Sequence, residues 1–84
     1  MKSVYVKFNN NEEISKFVNT ICNYECDFDL VKGRKMIDAK SYLGILCFDL
    51  SSPVRLDIYN EDDKILEGIS TYIVEFNWII IYKC

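Results

Sequence analysis

Histidine is missing from this 84-residue chain. Its absence removes the commonest general base, the commonest neutral metal ligand and any chemistry that stores a phosphoryl group on an imidazole. The four cysteines, Cys22, Cys26, Cys47 and Cys84, contain no C-x-x-C pair. Without histidine or paired thiols a zinc site has no donor set, so no metal and no cofactor are expected. A signal-peptide pattern is also lacking, because Met1-Lys-Ser-Val-Tyr-Val leads straight into a strand-like alternation. Buried free thiols acting as small core hydrophobes are therefore expected instead of disulfides. Cys84 is the exception, a terminal thiol that would crosslink two chains on oxidation. There is no stripe of lysine and arginine, and the formal net charge is −3, which argues against nucleic acid as a partner. Finally, no apolar run is long enough for a bilayer; the longest, Trp78 to Tyr82, falls far short. The expectation is a soluble, cytoplasmic protein with no membrane association.

What is present is core material. Half of the residues are apolar and 14% are aromatic, enough for one domain but not for two cores. Residues 3–8 alternate, with Val4, Val6 and Phe8 on one face, and predict a half-buried strand. Asn9-Asn-Asn11 breaks it and offers a cap, and Glu12 and Glu13 follow where a helix dipole favours acids. Ile14, Phe17, Val18, Ile21 and Cys22 line one face of that helix, which should stop near Asn23. Residues 25–39 read as a hairpin. In it Cys26, Phe28 and Leu30 alternate with Asp27 and Asp29, Lys32-Gly33 turns, and 35–39 returns.

Ser41 stands where a helix N-cap belongs, ahead of a run predicted to end near Leu50. In that run Leu43, Leu46, Cys47 and Leu50 fall on one apolar face. Ser51-Ser52-Pro53 breaks the chain and launches a fourth strand, with Val54, Leu56 and Ile58 opposing Arg55, Asp57 and Tyr59. Asn60 caps a third helix that opens with Glu61-Asp-Asp63 and presents Ile65, Leu66, Ile69, Tyr72 and Ile73. The order is β-α-β-β-α-β-α. A four-stranded sheet covered on one face by three helices buries each apolar stripe once, an α+β open-faced sandwich.

The domain so defined spans 1–75, and an apolar tail, 76–84, follows it. Two readings of the tail stand: a final strand or extended segment packed over the core, or a sticky edge through which two chains form a homodimer.

The candidate chemistry is sparse. Asp27, Asp29, Asp38, Asp49 and Asp57 lie on different elements and read as solvated strand faces. A hydrolytic pair would need two of them within about 5–10 Å in a cleft. No enzyme is expected. A hydroxyl at a helix N-terminus is a favourable place for an added phosphate, since free N–H groups and the dipole attract negative charge. Ser41 is either such a site or simply a cap.

The segment Lys35-Met-Ile-Asp-Ala-Lys-Ser41-Tyr-Leu-Gly-Ile looks like the K-x-V-[ND]-x-K-S-[IL]-[ML]-G-[VIL] pattern around the regulatory serine of the HPr family. Asn23-Tyr-Glu-Cys-Asp-Phe-Asp-Leu30 also looks like that family's second strand. The chain resembles these small phosphocarrier proteins of the bacterial sugar phosphotransferase system over roughly residues 2 to 75, in the same order of elements. The resemblance implies an antiparallel sheet in strand order 1-4-2-3. It also places the phosphocarrier histidine of the H-A-R-P-A motif on Asn10 and its arginine on Glu12. An amide cannot carry a phosphoryl group as imidazole does, and a glutamate reverses the charge that would hold one.

The regulatory half of the pattern is intact, and the chain is most like the catabolite-repression HPr type, which lacks the histidine. The implied function is regulatory binding in carbon catabolite control. Ser41 would be phosphorylated from ATP by HPr kinase/phosphorylase, and the product would be bound by a LacI-type catabolite-control regulator. Lys40, Tyr42, Leu43 and Leu46 would form the partner-binding surface. Read without the resemblance, Lys40 is a surface lysine, and Leu43 and Leu46 belong to the core. The alternative function is an interaction module on the same fold, possibly self-associating, with no phosphorylation.

Overall fold

The opening alternation becomes strand β1, Lys2–Val6, and helix α1, Asn11–Ile21, follows it. Asn10 caps α1 by accepting a hydrogen bond from the Glu13 amide at 2.9 Å, and Glu13 reaches back to the Asn9 amide. This reciprocal arrangement satisfies two donors that the first turn would otherwise leave open. Ile14, Phe17, Val18 and Ile21 bury themselves, and Cys22 closes the helix in solvent. The computed structural model that shows these elements describes residues 1–74. The tail 76–84, with Cys84 and any self-association through it, lies outside the described residues.

Strands β2 (Phe28–Lys32) and β3 (Lys35–Asp38) form the expected hairpin. Its loop is Gly33-Arg34, one residue later than the composition suggested, and Gly33 has φ of 61°. A two-residue loop with positive φ only at its first position is the demand of a type II′ turn, which glycine meets without strain. Strand β4, Val54–Ile58, alternates as predicted, with Val54, Leu56 and Ile58 buried.

Two helices are shorter than their apolar patterns suggested. Helix α2 is a single turn, Tyr42–Ile45, and does not reach Leu50. After it the chain tightens, with Cys47 N–H donating to Gly44 and Phe48 N–H to Ile45. Phe48 and Leu50 turn partly inward while Lys32 Nζ holds the Asp49 carbonyl from the neighbouring turn. The cap of helix α3 (Asp63–Gly68) is Asp62, not Asn60, whose side chain instead accepts from the Asp62 amide at 2.7 Å. The helix stops at Gly68 well before Ile73. Glycine's poor helix propensity marks the end, and the position has no room for a side chain: a β-carbon at 68 would lie 2.3 Å from Tyr24 Oη.

A 3-10 turn, Ser70–Tyr72, then leads into a fifth strand, β5, Ile73–Val74. It pairs antiparallel with β1 (Val6 with Ile73, Tyr5 with Val74), so the expected end of a helix is an added sheet edge. The sheet order is β3-β2-β4-β1-β5. Its first four strands have the order 1-4-2-3 that the resemblance implies, and every pairing is antiparallel.

One core joins the inner sheet face to the three helices of the described residues. Val6, Phe28, Leu30, Leu56 and Ile58 meet Phe17 and Ile21 of α1, Ile45 of α2, and Ile65 and Ile69 around α3. The three described cysteines take almost no part in it. Among the described residues Cys22 and Cys47 are exposed and Cys26 is partly buried, which corrects the expected role of these three as core hydrophobes.

Candidate functional site

The end of β3 presents Ser41. Ala39 is fully buried and its N–H donates to the Phe28 carbonyl; Asp38 then turns the chain by accepting from the Lys40 amide at 2.9 Å. Ser41 N–H donates to the Asp38 carbonyl, its backbone is extended, and its Oγ accepts from the Gly44 amide at 3.2 Å. The residue is exposed and caps α2 as expected. A β-carbon at Gly44 would lie 3.1 Å from Ser41 Oγ and 3.5 Å from Ile37 Cδ1, so glycine keeps the space behind the hydroxyl open. Because α2 is one turn long, few peptide dipoles align behind Ser41. What it offers an anion is local N–H groups, not a long macrodipole.

The residues around Ser41 divide. Leu43 is 74% exposed and Leu46 is 40% exposed, so both point outward, while Ile45 between them is fully buried. Tyr42 is half-buried against the core. The predicted apolar face of Leu43, Leu46, Cys47 and Leu50 is therefore largely a surface, and Ile45 is the residue that anchors the turn. Lys40 turns away from Ser41. Its Nζ donates to the Tyr24 carbonyl at 2.8 Å and lies 5.7 Å from the centre of the Phe28 ring. Part of its charge is thus engaged with α1's exit loop and the aromatic face below it.

Asn10 and Glu12 stand at the start of α1, both exposed. The Asn10 amide oxygen is engaged as the helix cap, and Glu12 pairs with Lys16 at 3.3 Å one turn later. Two carboxylates, Glu12 and Glu13, flank the cap.

The sheet register produces a feature that spacing along the chain could not reveal. On the open face, Ser3, Asp57, Asp29 and Asp38 are successive cross-strand partners. Each carboxylate has its own donor. Asp57 is only 4% exposed; it accepts from Ser3 Oγ at 2.7 Å and from Arg55 Nε and Nη2 at 3.0 and 3.2 Å. Asp29 accepts from the Tyr59 hydroxyl at 2.9 Å, a bond that raises the tyrosine's pKa above its ordinary value. Asp38 holds the Lys40 amide. The alternation in β2 and β4 showed that Asp29 and Asp57 would face away from the core; only pairing could place them side by side. Among the described residues no group of three or more cysteine or acidic side chains is placed to hold a metal ion.

The acidic start of α3 also has partners across the fold. Glu61 pairs with the Met1 amino group and Asp63 with Lys2 at 2.7 Å, while Asp62 supplies the cap. No helix among the described residues is long and apolar enough to cross a membrane.

No protein-family model matches the chain, and no curated protein matches it. Solved structures do. HPr-C-His from Thermoanaerobacter tengcongensis aligns with a TM-score of 0.68 and 24% identity, covering 84% of this chain and 89% of that one. The phosphocarrier protein HPr from Bacillus anthracis aligns with a TM-score of 0.65 and 24% identity, covering 87% of this chain and 94% of its own. The fold is that of the HPr proteins, and β5 lies at the β1 edge of its sheet.

Proposed function

We propose that this chain is a non-catalytic regulatory protein of the HPr type, switched by phosphorylation of Ser41 and acting through a partner that docks beside it. The observation that carries this reading is the exposed cap at Ser41 followed by two outward-facing leucines, Leu43 and Leu46, on an HPr fold. HPr kinase/phosphorylase would transfer the terminal phosphoryl group of ATP to Ser41 Oγ, releasing ADP. The new phosphate would meet the N–H groups of Tyr42 to Gly44, which α2 leaves without carbonyl partners.

A phosphate next to exposed leucine side chains makes a composite surface: charge for an arginine or lysine of the partner, and apolar area for a hydrophobic pocket. The fitting partner is a LacI-type catabolite-control regulator, and the setting is carbon catabolite control. Tyr42 would support the surface from below, half-buried as it is, and Lys40 would contribute its stem while its ammonium stays on Tyr24.

Calorimetric titration of the kinase-treated protein into such a regulator tests the docking surface. Leu43→Asp and Leu46→Asp should each weaken binding by about tenfold or more, the scale of losing a desolvated anchor of roughly 1.4 kcal/mol or above. Equal affinity in both variants and wild type would remove the leucines from the interface.

A further inference from the structure

The β2–β3 turn gathers positive charge, of which the fold itself uses only a part. Lys32, Arg34 and Lys35 line a cleft of about 310 Å³ together with Phe48 and Asp49, in a chain whose net charge is −3. Lys32 is held internally. Its Nζ donates to the Asp49 carbonyl and, at 2.9 Å, to Ser52 Oγ, and it lies 3.6 Å from the Asp49 carboxylate. That carboxylate is further held by the Ser51 amide and hydroxyl. The lysine and the aspartate therefore neutralise one another and fix one wall of the cleft.

Arg34 and Lys35 are different. Among the described residues neither side chain has a hydrogen bond or an ion pair, so three cations against one carboxylate leave a surplus of two positive charges at the rim. The type II′ turn at Gly33 sets these two adjacent side chains at the tip of the hairpin, and Phe48, half-buried after α2, supplies an apolar surface.

We propose that this cleft is a binding site for a small phosphate monoester, with the dianion between Arg34 and Lys35 and the organic part against the Phe48 ring. Guanidinium matches phosphate oxygens in a planar fork, and lysine adds a mobile second charge. Two unpaired cations match the charge of a monoester near neutral pH. A volume of about 310 Å³ sits at the small end of ligand sites, which selects a compact molecule over an extended one. This site is separate from Ser41, and nothing in it depends on the regulatory reading.

Phenyl phosphate is the probe, because it carries both the dianion and a flat ring. It is titrated into ¹⁵N-labelled protein at low, constant ionic strength, since exposed charges are screened by salt. Saturable amide shifts confined to residues 32–35 and 48–49 are expected, with millimolar affinity. Arg34→Gln and Lys35→Gln should each weaken binding about tenfold, whereas Lys64→Gln, on α3, should leave it unchanged. Both cleft positions are exposed, so the variants should retain the wild-type amide spectrum elsewhere. Shifts that do not saturate, that spread over all lysines, or that persist in Arg34→Gln and Lys35→Gln would overturn the site. Inorganic phosphate binding as tightly as phenyl phosphate would remove Phe48 from it. A hexaglutamate peptide displacing phenyl phosphate at lower concentration would also contradict the proposal, by assigning the cleft to an acidic protein segment.

Discussion

Gly68 and Tyr24 lie 44 positions apart in number but share one spot, and the contact explains why position 68 carries no side chain. A methyl group at 68 would stand 2.3 Å from Tyr24 Oη and 3.5 Å from its Cζ. Only the hydroxyl is in the way, and it is the far end of a side chain that can give. Gly68→Ala should therefore destabilise the protein by about 1 kcal/mol, at the low end of overpacking costs. In a Tyr24→Phe background the same substitution should become neutral or slightly stabilising, since alanine is the better helix former. A double-mutant cycle by urea denaturation measures the coupling, and equal effects in the two backgrounds would contradict the contact.

Asp49 supplies a second test at this scale. Hydrogen bonds from the Ser51 hydroxyl and amide, with the charge of Lys32 beside them, hold its carboxyl below the ordinary value. A lowered folded-state pKa stabilises the protein above the unfolded carboxylate's pKa, about 3.9, and that contribution fades as pH falls through the folded value. Wild type should thus be more stable than Asp49→Asn at pH 7, and the gap should close below about pH 3.9. Urea midpoints at neutral and acid pH read this directly, and a gap that stays constant into acid would rule the linkage out.

At the scale of elements, α2 shows how far apolar spacing can be trusted. Leu43, Leu46, Cys47 and Leu50 have helical spacing, yet the helix is too short to use it, and the core takes Ile45 instead. The signals for a short helix were present in the sequence: Gly44 inside the run and Ser51-Ser52-Pro53 soon after it. What could not be read was the reach of Lys32 across to Asp49 and Ser52, which fixes the chain after the single turn. The orientation is open to a paired substitution. Ile45→Ala, at 0% exposure, should cost about 2–5 kcal/mol. Leu43→Ala should stay within about 0.5 kcal/mol, as expected of an exposed position. Comparable losses from both, measured by chemical denaturation, would put Leu43 in the core and remove the proposed docking surface.

At the scale of the molecule, the strands and their inward faces were legible because β1, β2 and β4 alternate cleanly, and the cap at Ser41 was legible from residue type and place. The fifth strand was not. Ile73 and Val74 are β-branched, but Ile73 continues the i, i+4 pattern of Ile65 and Ile69, and only pairing with Tyr5 and Val6 decides for the strand. The same holds for the aspartate row and for the cationic cleft, both of which arise where separate strands or loops meet. The resemblance supplied the strand order, and the structural likeness to HPr proteins bears it out at the level of fold.

The regulatory reading joins these scales at one atom, Ser41 Oγ, and intact mass tests it most directly. The protein is incubated with HPr kinase/phosphorylase and ATP, with Ser41→Ala alongside and circular dichroism confirming that both are folded. The account predicts one added phosphoryl group on the wild type and none on the variant. A folded wild-type chain that gains no mass, or a Ser41→Ala chain that gains the same mass, would contradict it.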